Sequence, residues 1–147
     1  MFVVDTNVLI YAADADASAH RQCRALIEEW RGQESAWYVT WNILYEFLRV
    51  STHPRVLRQP WTADQAWQFV EALLASPGLG VLIASERHAA VAHQTIRETP
   101  HLAGNLLHDV HTAVLMREHG ISRIYTRDAD FHRFSFLEVR DPLNATL

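Results

Sequence analysis

The stretch FVVDTNVLIYA, residues 2–12, sets the reading of the whole chain. Three apolar residues, Phe2–Val4, meet a carboxylate at Asp5, and Thr6 and Asn7 lead into Val8, Leu9, Ile10 and Tyr11. A short apolar run closed by a polar cluster predicts a strand over Phe2–Val4. The spacing after it predicts a helix from Asn7 to about Ala13, with Asp5, Thr6 and Asn7 all competent to start it. A strand that runs directly into a helix is the opening half of a strand–helix–strand unit.

The alternation continues downstream. Ser18 can cap a helix reaching about Arg31, with Ala25, Leu26 and Trp30 on its apolar face. Ala36–Val39 reads as a strand, and Thr40 or Asn42 caps a helix through Val50 that His53-Pro54 ends. Thr62 with Gln65 forms a capping box for a helix through Leu74. After Pro77-Gly78 come a strand over Gly80–Ala84 and a helix capped by Ser85 to about Arg97. Asn105 starts a further helix that Gly120 ends. Ser122–Tyr125 and Leu137–Arg140 supply the remaining strands. The pattern predicts an α/β fold: a single domain over residues 1–147, its parallel sheet of four to five strands flanked by helices on both faces. In such sheets ligands sit beyond the carboxyl ends of the strands.

Composition narrows the function classes. A chain of 147 residues can bury a core as one domain. With 49% apolar and 20% charged residues it is too apolar for a disordered chain. No apolar run approaches a membrane span, and the N-terminus has no basic leader, so no membrane association is expected. A single cysteine, Cys23, excludes an intrachain disulfide and fits a reducing, cytoplasmic setting. The net charge of −4 runs against the usual basic balance of a nucleic-acid binder. All thirteen basic residues are arginine, whose planar fork suits phosphate. The absence of lysine, with no glycine-rich phosphate loop, argues against haloacid-type phosphatases, receiver domains and P-loop NTPases.

Four carboxylates stand out by position. Asp5 directly follows one predicted strand and Asp128 lies just past another, where a site is expected. Singly, each reads as a cap or a turn residue. Asp109, in NLLHDVHTAVLM, shares a helical stripe with Leu106, Val110 and Ala113; Glu46, in NILYEFLRV, follows Ile43 by three and sits beside Phe47. Carboxylates on core-facing stripes need compensation, from arginine or from a shared cation. With two further acids at strand ends, the cation is the preferred reading, and hard carboxylate oxygens suit Mg²⁺ or Mn²⁺.

FVVDTNVLIYA, LYEFLRV, GNLLHDVHTAVLMREHG and IYTRDADFHRF, in this order from residue 2 to about 142, resemble the PIN-domain family, and specifically VapC toxins of prokaryotic toxin–antitoxin pairs. The resemblance implies a metal-dependent endoribonuclease in which Asp5, Glu46, Asp109 and Asp128 form the acidic quartet, Asp5 and Asp109 being the firmest metal ligands. It implies supporting roles for Asn7 and Thr126 and an accessory acid at Asp130. It also implies a homodimer and a cognate VapB-like antitoxin whose tail enters the acidic groove. The rival from another class is a PIN fold that binds RNA or a partner without cutting; the intact quartet weighs against it.

Around the acids, Arg127 and Arg133 are the candidates for RNA phosphate contact, with pairing to carboxylates equally open. Arg55 and Arg58, near Pro54 and Pro60, fall in an expected exposed loop and are further candidates to guide RNA. His108 and His111 flank Asp109 without an HExxH pattern, which argues against a zinc protease. His132 beside Asp130 is a minor candidate for proton transfer. The five tryptophans could stack bases, but their spacing assigns most of them to the core or a dimer interface.

Overall fold

Val3 and Val4 form β1 (Val3–Val4), and both are fully buried. Consecutive strand residues face opposite sides of a sheet, so helices cover both faces at the centre of this one. Around β1 lie β2 (Trp37–Thr40), β3 (Leu79–Leu82), β4 (Arg123–Tyr125) and β5 (Glu138–Arg140). All neighbours pair in parallel, in the order β3-β2-β1-β4-β5. The computed structural model describes residues 1–144.

Six helices connect the strands: α1 (Thr6–Ala13), α2 (His20–Gly32), α3 (Trp41–Ser51), α4 (Ala63–Leu74), α5 (His88–Glu98) and α6 (Leu106–Glu118). The chain starts at the middle of the sheet and builds outward through β2 to β3. It then returns through α5 and α6 to place β4 on the other flank of β1. Strand order therefore reverses between β1 and β4, and the crevice at their carboxyl ends is where this topology places ligands. Asp5 leaves one of those ends and Thr126 the other.

Two aromatic clusters fix the layers. On one face, Phe2, Trp30 of α2 and Tyr125 of β4 pack with ring centroids 4.8–5.0 Å apart. Elsewhere Phe47 of α3 stacks at 4.7 Å on Phe69 of α4 and meets Trp61 edge-on. Phe47 is fully buried and immediately follows Glu46, so its anchorage sets how α3 presents that carboxylate.

The expected elements are present with shifted ends. Thr40, not Asn42, caps α3 by accepting from the Ile43 amide. The Thr62–Gln65 capping box is complete. Two expected caps are corrected. Ala19, not Ser18, occupies the N-cap of α2, and it makes no side-chain cap. Ser85 lies ahead of α5, whose N-cap is Arg87; its hydroxyl accepts from the Arg87 amide and donates at 2.5 Å to Glu118. Buried Glu118 of α6 also accepts from the Ser85 amide and meets His88 Nδ1 at 2.6 Å. This clamp ties the segment leading into α5 to the end of α6. Gly120 closes α6 at φ +68°, a left-handed residue that glycine adopts without a Cβ penalty.

Truncating Phe47 to alanine removes a ring packed against two aromatic neighbours. The expected cost is about 3–5 kcal/mol of stability, measured as a fall in the urea midpoint at unchanged m-value.

Candidate functional site

The four acids singled out in the sequence converge, and Asp130 joins them. Glu46, Asp109, Asp128 and Asp130 line one groove of about 900 Å³ between α3, the start of α6 and the segment after β4. Asp109, Asp128 and Asp130 each offer a carboxylate oxygen, all within 4.8 Å of one another. Asp5 lies behind this group, almost fully buried. Burial, and after it the charges of Asp128, Asp5, Asp130 and Glu46, push the Asp109 carboxyl up to about 7. That ranking of neighbours is the electrostatic signature of five carboxylates facing one space.

Asp5 is held by its neighbours with little freedom. Its Oδ1 caps α1 by accepting from the Thr6 amide at 2.7 Å. Its Oδ2 accepts from Asn7 Nδ2 at 2.8 Å and from Thr126 Oγ1 at 2.7 Å. Three of roughly four acceptor positions are thus used, which leaves one for another ligand. Burial raises its carboxyl to about 6, against the lowering effect of the Thr126 and Thr6 hydrogen bonds; Glu46 and Asp128 push it up further.

Asn7 and Thr126 couple the two strand ends. Asn7 Nδ2 also donates to Thr126 Oγ1 at 2.9 Å, while Asn7 Oδ1 accepts from the Arg127 amide. Thr126 Oγ1 accepts from the Asp128 amide at 2.9 Å, and Asp128 Oδ1 accepts from the Asp130 amide. This chain of bonds runs from Asp5 to the Asp130 amide and fixes the direction of the Asp5 and Asp128 carboxylates. Thr6 adds a link that the sequence reading missed: its hydroxyl lies 3.2 Å from Glu46 Oε2 and 3.3 Å from the Ile43 carbonyl. A hydroxyl immediately after Asp5 was the available signal, but capping explained it equally well.

Arginine does not neutralise the centre. Glu46 pairs with Arg49 at 3.5 Å and Asp130 with Arg133 at 3.2 Å, both as exposed i, i+3 pairs. Such pairs contribute about 0–1 kcal/mol. Among the described residues, Asp5, Asp109 and Asp128 make no ion pair with arginine or histidine. Arg127 turns away from the acids: its guanidinium meets Asp141 at 3.7 Å and lies over Tyr11. Arg133 stays at the groove side through Asp130. His111 faces His88 on α5, its pKa lowered by burial and by that neighbour, while His132 lines a separate cleft with Arg123 and Arg140.

The groove also contains residues that the sequence did not single out for the site: Tyr45, Arg49 and Asn105, with Asn42 considered only as a cap. Tyr45 and Arg49 neighbour Glu46 on α3, and helical spacing from Glu46 was the one signal pointing to them.

A cluster of carboxylates whose only arginine partners are exposed, at Glu46 and Asp130 among the described residues, suits a hard divalent cation. Oxygens around one octahedral Mg²⁺ lie about 3–4 Å apart, and those of Asp109, Asp128 and Asp130 lie within 4.8 Å of one another.

Comparison with known proteins agrees with this arrangement. The PIN domain family profile matches residues 2–137. Ribonuclease VapC43 of Mycobacterium tuberculosis is 35% identical over 144 residues, spanning 98% of this chain and 97% of that protein. Among solved structures, M. tuberculosis VapC20, described as a sarcin–ricin loop cleaving toxin, superposes with a TM-score of 0.67 at 20% identity, covering 96% of this chain and all of that one. VapBC2 of Rickettsia felis, solved bound to a DNA fragment from its promoter, gives 0.65 at 15% identity, covering 95% and 96%. With the match extending over nearly its whole length and the acids meeting at the strand-order reversal, this chain belongs to the PIN domain family, in its VapC-type branch.

Proposed function

We propose that the protein is a divalent-metal-dependent endoribonuclease and the toxin of a VapBC-type toxin–antitoxin pair, acting in the cytoplasm. The convergence of five carboxylates, three of them without a cationic partner among the described residues, carries the metal part of this reading. VapC43 and the other named VapC ribonucleases it resembles support the RNA part.

In this reading Asp109 and Asp128 hold Mg²⁺ or Mn²⁺, with Asp5 contributing its remaining acceptor position and Asp130 and Glu46 completing the ring. A bound cation would supply the Lewis acidity and positive charge that phosphodiester hydrolysis requires. The chain supplies placement. Thr126 and Asn7 fix the Asp5 carboxylate, Thr6 steadies Glu46, and the α3 and α6 walls orient RNA over the acids. Arg133, with Arg127 farther away, would meet substrate phosphates. The antitoxin and the homodimer remain part of the proposal by likeness to the VapBC and FitAB structures. An acidic groove of this kind suits a basic antitoxin tail.

Three outcomes test the reading. Purified protein should cut RNA only with added Mg²⁺ or Mn²⁺, and Asp109→Asn should abolish cleavage; undiminished cutting by that variant ends the proposal. Thr126→Val should lower metal affinity or activity by about 10–100-fold, the usual effect of losing a partner that orients a ligand. In a melting assay, Mn²⁺ at about 100 times its Kd should add about 2.7 kcal/mol of stability.

The pH dependence has a definite sign. The Asp5 and Asp109 carboxyls rise from 3.8 to about 6 and about 7 on folding. Between roughly pH 4 and 7 the metal-free native state therefore binds more protons than the unfolded state, and stability falls as pH rises through this window. Metal-free protein should melt at a higher temperature at pH 5.5 than at pH 8. Cation binding must displace those protons, so Mn²⁺ stabilisation should grow over the same interval. A flat profile in both measurements contradicts this account.

A further inference from the structure

The exposed face of α3 carries a feature that the acid cluster does not need. Trp41, Tyr45 and Arg49 recur every four residues and form one stripe along the helix, beside the turn that bears Glu46. Their neighbours Ile43, Leu44 and Phe47 are buried on the opposite side. Tyr45 is 65% exposed and Trp41 42% exposed, although both are large aromatic residues. Their rings lie 6.4 Å apart at 53°. Tyr45 and Arg49 line the same groove as Glu46, Asp109, Asp128 and Asp130. The Arg49 side chain is 65% exposed, and its one acidic contact, with Glu46, is long at 3.5 Å.

We propose that Tyr45, backed by Trp41, is a stacking platform for an unpaired RNA base next to the phosphate lying over the acids, and that Arg49 receives the neighbouring phosphate. This rests on the ribonuclease reading and names the side chains that seat the substrate beside the cut.

The physical case has three parts. Four residues of helix advance by about 6 Å, so an aromatic ring and a guanidinium one turn apart can engage a base and an adjoining phosphate together. An exposed ring accepts a base face whatever its sequence, and removing one such contact costs about 1–3 kcal/mol. Bases inside a duplex are already stacked, so only a splayed base can use the platform. Placement at the rim of an acidic groove also explains the arginine. The acids repel an incoming polyanion, and a cation one turn from the stacking ring offsets that repulsion at the point of entry.

The competing occupant is a second copy of this chain, since an exposed aromatic pair also suits an interface between subunits. The two assign different fates to the same side chain. A base platform needs the ring but leaves the oligomeric state unchanged when the ring is lost. An interface responds to loss of the ring by weakening.

The test uses the full chain and measures binding separately from cleavage. The probe is an end-labelled, unstructured oligoribonucleotide, free or annealed to its complement, followed by fluorescence anisotropy without added divalent metal. Tyr45→Ala should weaken single-strand binding by about 5–150-fold, the range corresponding to loss of one stacked base. Tyr45→Phe should restore it to near the wild-type value, and duplex binding should change little in either variant. Sedimentation of Tyr45→Ala should match that of wild type. With metal present, kcat/KM on the single-stranded probe should fall by the same factor as binding. Equal binding of the single strand by wild type and Tyr45→Ala overturns the platform, as does failure of Tyr45→Phe to restore it. A shift of Tyr45→Ala toward monomer assigns the face to a second subunit and also overturns it. Absence of metal-dependent cleavage by wild type defeats the ribonuclease reading separately, because the anisotropy arm stands without it.

Discussion

Carboxylates brought together without cations repel, and this structure is organised around holding five of them in place. The Asp109 carboxyl, pushed up to about 7 by burial and by four acidic neighbours, measures the tension at the centre. Nothing in the acids themselves would keep them there. At the strand ends, what holds Asp5 and Asp128 is a short relay of neutral donors: Asn7 and Thr126 on Asp5, the Asp128 amide on Thr126, and the Asp130 amide on Asp128. Neutral donors fix direction without neutralising charge, so the cluster keeps the negative charge that the proposed cation would need. An arginine in the same place would have given a quieter protein with nothing left to bind.

The sheet makes this relay possible. β1 and β4 are neighbours although 118 residues separate Asn7 from Tyr125, because the chain builds one flank first and then crosses back. Asp5 and Thr126 therefore leave adjacent parallel strands at the same end and can bond at 2.7 Å. The helical acids arrive differently. Glu46 depends on how α3 seats Phe47 between Phe69 and Trp61. Asp109 sits in the first turn of α6, a helix held at its far end by the Glu118 clamp. Strand ends place two of the acids, and two separately packed helices bring the others to meet them.

Much of this was legible in the sequence because the governing rules are local. Short apolar runs marked the strands, and Asp5 and Asp128 stood at or just past the ends of two of them. Glu46 and Asp109 betrayed themselves as acids on otherwise apolar stripes. What escaped was whatever depended on a distant partner. Ser85 looks like a helix cap in sequence, yet its hydroxyl is committed to Glu118, 33 residues away. Thr6 passed as a capping residue because its contact with Glu46 spans 40 residues. Asp130 read as an accessory because an acid two residues beyond another is ordinary in a turn; only the bend of the chain after β4 turns its carboxylate toward Asp109.

Tyr45 belongs to the same class of hidden residue, for a different reason. Sequence patterns reveal the apolar face of a helix because burial enforces its period, whereas the exposed face is free to vary and carries no comparable signal. A large aromatic side chain there costs solubility and contributes little to stability. Beside a groove of repelling carboxylates, it is also one of the few side chains able to attract a polyanion's bases without adding a charge that would compete with the metal. In the proposed reading, a site that must stay acidic to hold a cation recruits its substrate through stacking, with arginines only at its edge, and that division of labour matches a chain whose net charge is −4.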